Sequence, residues 1–187
     1  MKPALIVIGL GNPGKEYEGT RHNAGFLAAD LLAKAFGTAP WQPKQKFSAD
    51  VCEGRIITVP VLFVKPTTYM NRSGESARKI IDFYQLNPAK ELLVICDDID
   101  LQIGTVRFRE NGSSGTHNGL QSVAQQFGEE YPRIRIGVGA QAAGEDLANY
   151  VLSNPDAQER KAIDAAIAKI PEMVRSFVLG DQKPSKS

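Results

Sequence analysis

The chain has 187 residues, 42% of them hydrophobic and 23% charged, with 22 Lys+Arg against 21 Asp+Glu. That length suits one domain with its own core, and the composition excludes collagen-like, low-complexity and mostly disordered chains. A net charge of +1 carries no general polyanion-binding signature, so contact with nucleic acid requires basic groups concentrated locally.

In chain order, residues 4–8 form a short apolar run ending in glycines, the pattern of a buried strand. A polar loop covers 9–22, and residues 24–36 read as a helix with Leu27, Leu31 and Ala35 at i+4 spacing, stopped by Gly37. Residues 47–65 hold strand-like pieces punctuated by Gly54 and Pro60. Ala77, Ile80, Ile81 and Tyr84 share one helical face. Residues 92–96 are a second apolar strand, closed by Asp97 and Asp98, and 105–109 alternate as a half-exposed strand. A helix over 118–127 and a strand over 134–138 follow. The last long helix is expected to start at Asn154 as cap with Pro155 in its first turn, and Pro171 should kink or split it. The alternation predicts an α/β fold: a single three-layer domain over 1–181, its mixed central sheet covered by helices on both faces. Residues 182–187 are expected to be a flexible tail.

Cys52 and Cys96 sit in apolar runs without metal-ligand spacing, so buried, reduced thiols are expected. No apolar run is long enough to span a bilayer, and the first residues lack a secretory pattern; the expectation is a cytoplasmic protein that does not engage a membrane.

Gly9-Leu10-Gly11-Asn12-Pro13-Gly14 follows the first strand and matches a dinucleotide fingerprint. Pro13 removes a backbone donor, a polar loop rather than a helix follows, and the acidic residue expected about 20 positions on is absent, Asp30 falling inside the first helix. Turn glycines explain the motif, through positive φ and close packing. They do not explain the surrounding density of polar groups: Asn12, Tyr17, Thr20, Arg21, His22 and Asn23.

The only two histidines, His22 and His117, each precede an asparagine in a glycine-bearing loop beside an apolar strand. Either could cap a helix, and both could converge on one sheet edge. Asp97, first off its strand, is placed to accept a hydrogen bond from histidine Nδ1–H and leave Nε2 basic, whereas Asp98 and Asp100 read as solvated turn residues. The acidic spacing lacks the calcium-loop pattern, and no serine sits in a nucleophile elbow. A His–Asp pair activating water, with Asn amides binding substrate and a developing oxyanion, points to hydrolysis of an ester or related acyl bond. No metal and no cofactor is expected.

The opening segment, with Tyr17 and Thr20-Arg21-His22-Asn23-Ala24-Gly25, resembles the signature of the bacterial peptidyl-tRNA hydrolase family. So do, in order, Lys65-Pro66-Thr67-Thr68-Tyr69-Met70-Asn71, Asp97-Asp98-Ile99-Asp100, Gly115-Thr116-His117-Asn118-Gly119 and Arg133-Ile134-Arg135-Ile136-Gly137. The resemblance implies a monomeric esterase that cleaves the bond between a peptide C-terminus and the 3′-terminal ribose of tRNA. It implies that His22 is the base, that Asp97 keeps it basic and that Asn12 helps to distinguish N-blocked from free aminoacyl esters. Asn71 and Asn118 would hold the peptide backbone and the attacking water, Tyr17 and Tyr69 would line the substrate, and His117 would support. Arg109 and Arg135 would hold a tRNA phosphate. Thr116 stands where the family often has glycine. A non-catalytic RNA-binding relative of the same fold is the alternative, and retention of the His–Asp pair argues against it.

Overall fold

A run of apolar residues with no polar alternation has to be buried on both sides, and β1 (Leu5–Gly9) is buried throughout near the middle of the sheet. The structure, a computed structural model, describes residues 2–181; the expected tail at 182–187 lies outside the described residues. After β1 come α1 (Ala24–Phe36), β2 (Gln42–Lys44), β3 (Ala49–Ile56), β4 (Val59–Pro66), α2 (Ser73–Tyr84) and α3 (Pro88–Glu91). Then follow β5 (Leu92–Asp98), β6 (Val106–Arg109), α4 (Asn118–Phe127), β7 (Arg133–Gly137), α5 (Leu147–Val151), α6 (Ala157–Ile167) and α7 (Ile170–Leu179).

The sheet runs β2-β3-β4-β1-β5-β7-β6. Strands β4, β1, β5 and β7 are parallel, and β2, β3 and β6 pair antiparallel at the edges, which makes the sheet mixed as expected. Leu5 and Val7 of β1 join one core with α1, α6 and α7. Ile6 and Ile8 join the other, with α2 and α4. The period-2 pleat thereby feeds two cores from one strand, giving three layers. Among the described residues no helix is long and apolar enough to cross a membrane. Cys52 and Cys96 are buried and unbridged, and burial pushes both thiols above their ordinary pKa.

The last helix starts later than the sequence suggests. Asp156, not Asn154, is the cap: its carboxylate accepts from Glu159 N at 2.8 Å while the Glu159 carboxylate accepts from Asp156 N at 2.9 Å. Two reciprocal bonds outweigh the Asn-Pro signal two residues earlier. Pro171 does split the stripe: α6 stops at Ile167, and α7 begins at Ile170 with the proline in its first turn, where its missing N–H costs nothing.

The glycines after β1 serve packing more than turning. Gly14 alone of the first three has positive φ, at 114°. A Cβ on Gly9 would lie 2.1 Å from Gly25 O, and one on Gly25 would lie 2.5 Å from both Ile95 O and Leu10 O. Helix α1 therefore lies against the C-terminal ends of β1 and β5 with backbone touching backbone. Residues just before it are carried to the end of β5, where Asp97 sits. Gly25→Ala should cost about 2–4 kcal/mol of stability, in the range of backbone-displacing overpacking. Urea unfolding checks this, and a loss below about 0.5 kcal/mol would show that the seam can open freely.

Candidate active site

Strand β1 leads into α1 on one face, whereas its neighbours β4 and β5 lead on to α2 and α4 on the other. A crevice therefore forms beyond the carboxyl ends of β1 and β5, the usual ligand position in an open α/β sheet. Three loops deliver side chains there. The single helical turn Arg21–Asn23 brings His22, the end of β5 brings Asp97, and the start of α4 brings His117.

Asp97 is 2% exposed and takes donors from both rings. His22 Nδ1–H reaches its two oxygens at 3.0 and 2.9 Å. His117 Nε2–H reaches Oδ1 at 2.8 Å. The His117 tautomer follows from its other nitrogen, because Nδ1 accepts from Gly119 N and Leu120 N at 3.1 and 3.2 Å and so carries no proton. His117 thus caps α4 and donates to Asp97 at once. His22 Nε2 has no partner among the described residues and, with Nδ1–H committed to the carboxylate, presents a lone pair. Burial pushes the Asp97 carboxyl upward, but the two imidazoles and their hydrogen bonds outweigh it and hold the group well below the ordinary carboxylate range.

A second set of contacts joins the glycine loop to the turn after β4. Asn23 grips the Asn12 backbone with two bonds of 2.9 Å, Asn12 N–H to Oδ1 and Nδ2–H to Asn12 O. Asn12 Oδ1 accepts from Met70 N at 2.8 Å, leaving its Nδ2 without a protein partner among the described residues. Met70 packs so closely on Gly119 that a Cβ there would lie 2.5 Å from its Sδ. Asn12, Met70 and α4 are therefore linked by direct contact to the histidine pair. Asn71, next to Met70, and Asn118, at the start of α4, are exposed and have no protein partner among the described residues. Tyr17 meets Tyr69 edge-on at 6.4 Å, and Tyr69 holds φ 63°, a strained value for a residue with a side chain.

His22, Asp97 and Asn118 line a cleft of about 750 Å³ that also takes in Arg109 and Arg135. Asn12 lines a separate hollow of about 350 Å³, and Tyr17, Tyr69 and Asn71 line neither. In the β6–β7 register Arg107 faces Arg135 and Arg109 faces Arg133, so four guanidinium groups share one side of the sheet edge. Arg133 is buried and bonds to Glu129 O at 3.0 Å. Asp98 is not the solvated turn residue its sequence suggests. It ends β5 with a side chain 10% exposed and pairs with Arg135 at 2.7 Å, because that register sets it beside β7. Asp100 is exposed, as expected.

The model of the peptidyl-tRNA hydrolase family matches residues 6–186. The chain belongs to that family. It is 47% identical to a peptidyl-tRNA hydrolase of Fusobacterium nucleatum over 90% of this chain and 86% of that one. It is 48% identical to one of Brevibacillus brevis over 87% and 85%. A crystal structure of peptidyl-tRNA hydrolase from Acinetobacter baumannii superposes with TM-score 0.90 at 35% identity, covering 96% of this chain and 91% of that chain.

His22, Asp97 and His117 are also the one group among the described residues with metal-ligand chemistry, their donor atoms within 4.8 Å of one another. The nitrogens facing Asp97 carry protons and His117 Nδ1 is held by two backbone N–H groups, so an ion would have to displace a proton and a helix cap. Two further residues were not singled out from sequence: Asn23, the grip on Asn12, and Arg21, which bonds to the C-terminal segment. Their signal was present only as polar density around His22.

The depressed Asp97 carboxyl makes a pH prediction. The unfolded chain takes up a proton near the ordinary value of 3.8 and native Asp97 does not, so its stabilisation is complete above that value and is lost as pH falls toward the native one. Unfolding free energies at pH 5, 4 and 3 should fall more steeply for wild type than for Asp97→Asn. Parallel slopes would mean that the two rings do not hold the charge.

Proposed function

We propose that His22 Nε2 is the general base that activates water against the ester joining a peptide C-terminus to the 3′-terminal ribose of tRNA. Family membership makes the chain an ester hydrolase acting on peptidyl-tRNA. The observation that carries the role of His22 is its ring, locked on buried Asp97 through Nδ1–H and lining the cleft with Nε2 unpartnered.

The water oxygen attacks the carbonyl carbon as its proton passes to Nε2. Negative charge moves to the carbonyl oxygen, and the free amides of Asn71 and Asn118 are the donors available to substrate, water and oxyanion. Collapse breaks the bond to the ribose oxygen, which takes the proton back from His22, releasing free tRNA and the peptide acid, whose remaining proton passes to solvent to leave the carboxylate. Asp97 stays ionised throughout and stabilises the imidazolium, and His117 holds Asp97 in place. Asn12 senses the peptide side and Tyr17 and Tyr69 flank it. Arg109 and Arg135 take a tRNA phosphate, Arg135 exchanging Asp98 for it. The chain acts as a cytoplasmic monomer without cofactor.

Turnover of N-acetylaminoacyl-tRNA tests the base. His22→Ala should lower kcat by about 100-fold or more while tRNA binding persists, and undiminished turnover would overturn the assignment. Arg109→Ala should weaken tRNA binding and lower the slope of log affinity against log salt by about 1. An unchanged slope would remove Arg109 from the phosphate contacts.

A further inference from the structure

Arg21 and His22 are neighbours in one buried helical turn, yet their side chains serve different parts of the molecule. His22 reaches β5. Arg21 reaches the segment that follows β7, and it does so from every side. Its backbone N–H donates to Ser153 O at 3.1 Å. Nη1 donates to Ser153 Oγ at 2.5 Å, Nη2 pairs with Glu159 at 2.7 Å, and the guanidinium lies 4.3 Å from the Tyr150 ring centroid. Arg160 adds a bond back to Gly19 O. Tyr150 in turn donates its hydroxyl to Val138 O at 2.8 Å.

What Arg21 grips is the end of α5. Asp146 caps that helix, and Asp146, Leu147, Ala148 and Val151 supply a stretch of the cleft lining. Five residues of helix at the end of an exposed loop have little stiffness of their own. The wall of the cleft is therefore registered to the catalytic turn through Arg21. The Arg21 side chain is buried while its partner Glu159 is half-buried, and taking a guanidinium out of water is costly; here its Nε is moreover left buried without a partner. A planar fork that bonds Ser153 and Glu159 at once fixes position.

We propose that Arg21 is a positioning residue for the hydrolysis: it sets α5 relative to His22, so that an ester held along the cleft meets Nε2 in line. This rests on the role of His22 given above. Misplacement by about 1 Å is enough to slow a reaction by on the order of 100-fold. Arg21→Lys keeps the charge but cannot hold both partners in one plane. With N-acetylaminoacyl-tRNA, and normalised to the folded fraction by circular dichroism, it should lower kcat about 10- to 100-fold. KM should stay within about threefold, and the pH of half-maximal rate should not move, because Asp97 still holds Nδ1–H. A loss that disappears on normalisation, a rise in KM alone, or a moved pH midpoint would overturn the proposal. Ser153→Ala, at a partly exposed position, removes the shortest bond to Arg21 together with the hydroxyl's own bond to Tyr150 O at 2.6 Å; it should lower kcat at least threefold, also at unchanged pH midpoint, and wild-type kcat there would overturn the proposal if Arg21→Lys fails to fold. Full turnover by His22→Ala would instead defeat the role of His22, a separate result.

Discussion

A carboxylate with almost no exposure to water is the constraint around which the rest of the site is arranged. Asp97 sits at the end of a strand buried on both faces, where an unpaired charge would be prohibitive. It stays ionised because two imidazoles donate to it. Each ring is then constrained in turn. His117 must carry its proton on Nε2 since two backbone N–H groups occupy Nδ1, and His22 must carry its proton on Nδ1, which leaves Nε2 basic. The hydrogen bonds to Asp97 and to the α4 backbone fix which nitrogen of each ring donates.

That arrangement demands close approach of three separate segments, and small residues provide it. Gly9 and Gly25 let α1 lie on the ends of β1 and β5, which brings the His22 turn to Asp97. Met70 packs on Gly119, which ties the Asn12–Met70 bond to the helix that His117 caps. A glycine pattern that matches a nucleotide fingerprint is here a device for apposing backbones, and it brings the polar residues beside it to the end of β5.

The charge distribution carries a similar lesson. Near-neutrality over the whole chain coexists with four arginines on one side of the β6–β7 pair, and like charges directly across a ladder are unfavourable unless something anionic offsets them. Asp98 offsets Arg135. Arg109, Arg133 and Arg135 line the cleft, where a few placed guanidinium groups can serve a phosphate without any net basic excess.

Much of the fold was legible in the chain because local pattern and tertiary role agree. The unalternating runs before Gly9 and Asp97 are strands buried on both faces, the spacing in α2 is one-sided, and Pro171 breaks the final helix where a proline must. In α1 the expected stripe is displaced: Ala24, Gly25, Ala28, Ala29 and Leu32 are buried, Leu27 and Leu31 half-buried and Ala35 exposed, because the close approach to the sheet selects the small residues. The capping choice at Asp156 over Asn154 was less legible, since both are good caps and only the reciprocal bond to Glu159 decides between them. The chain by itself determined which residue types are candidates for the chemistry: two histidines, an aspartate leaving a buried strand, and asparagines in polar loops. Tertiary structure alone decided that one aspartate serves both histidines, that Asp98 neutralises Arg135, and that Arg21 joins the cleft wall to the His22 turn. Those pairings span from 20 to 138 positions of sequence. No periodicity or motif encodes them, because they depend on which strand lies beside which and on how closely α1 can approach the sheet.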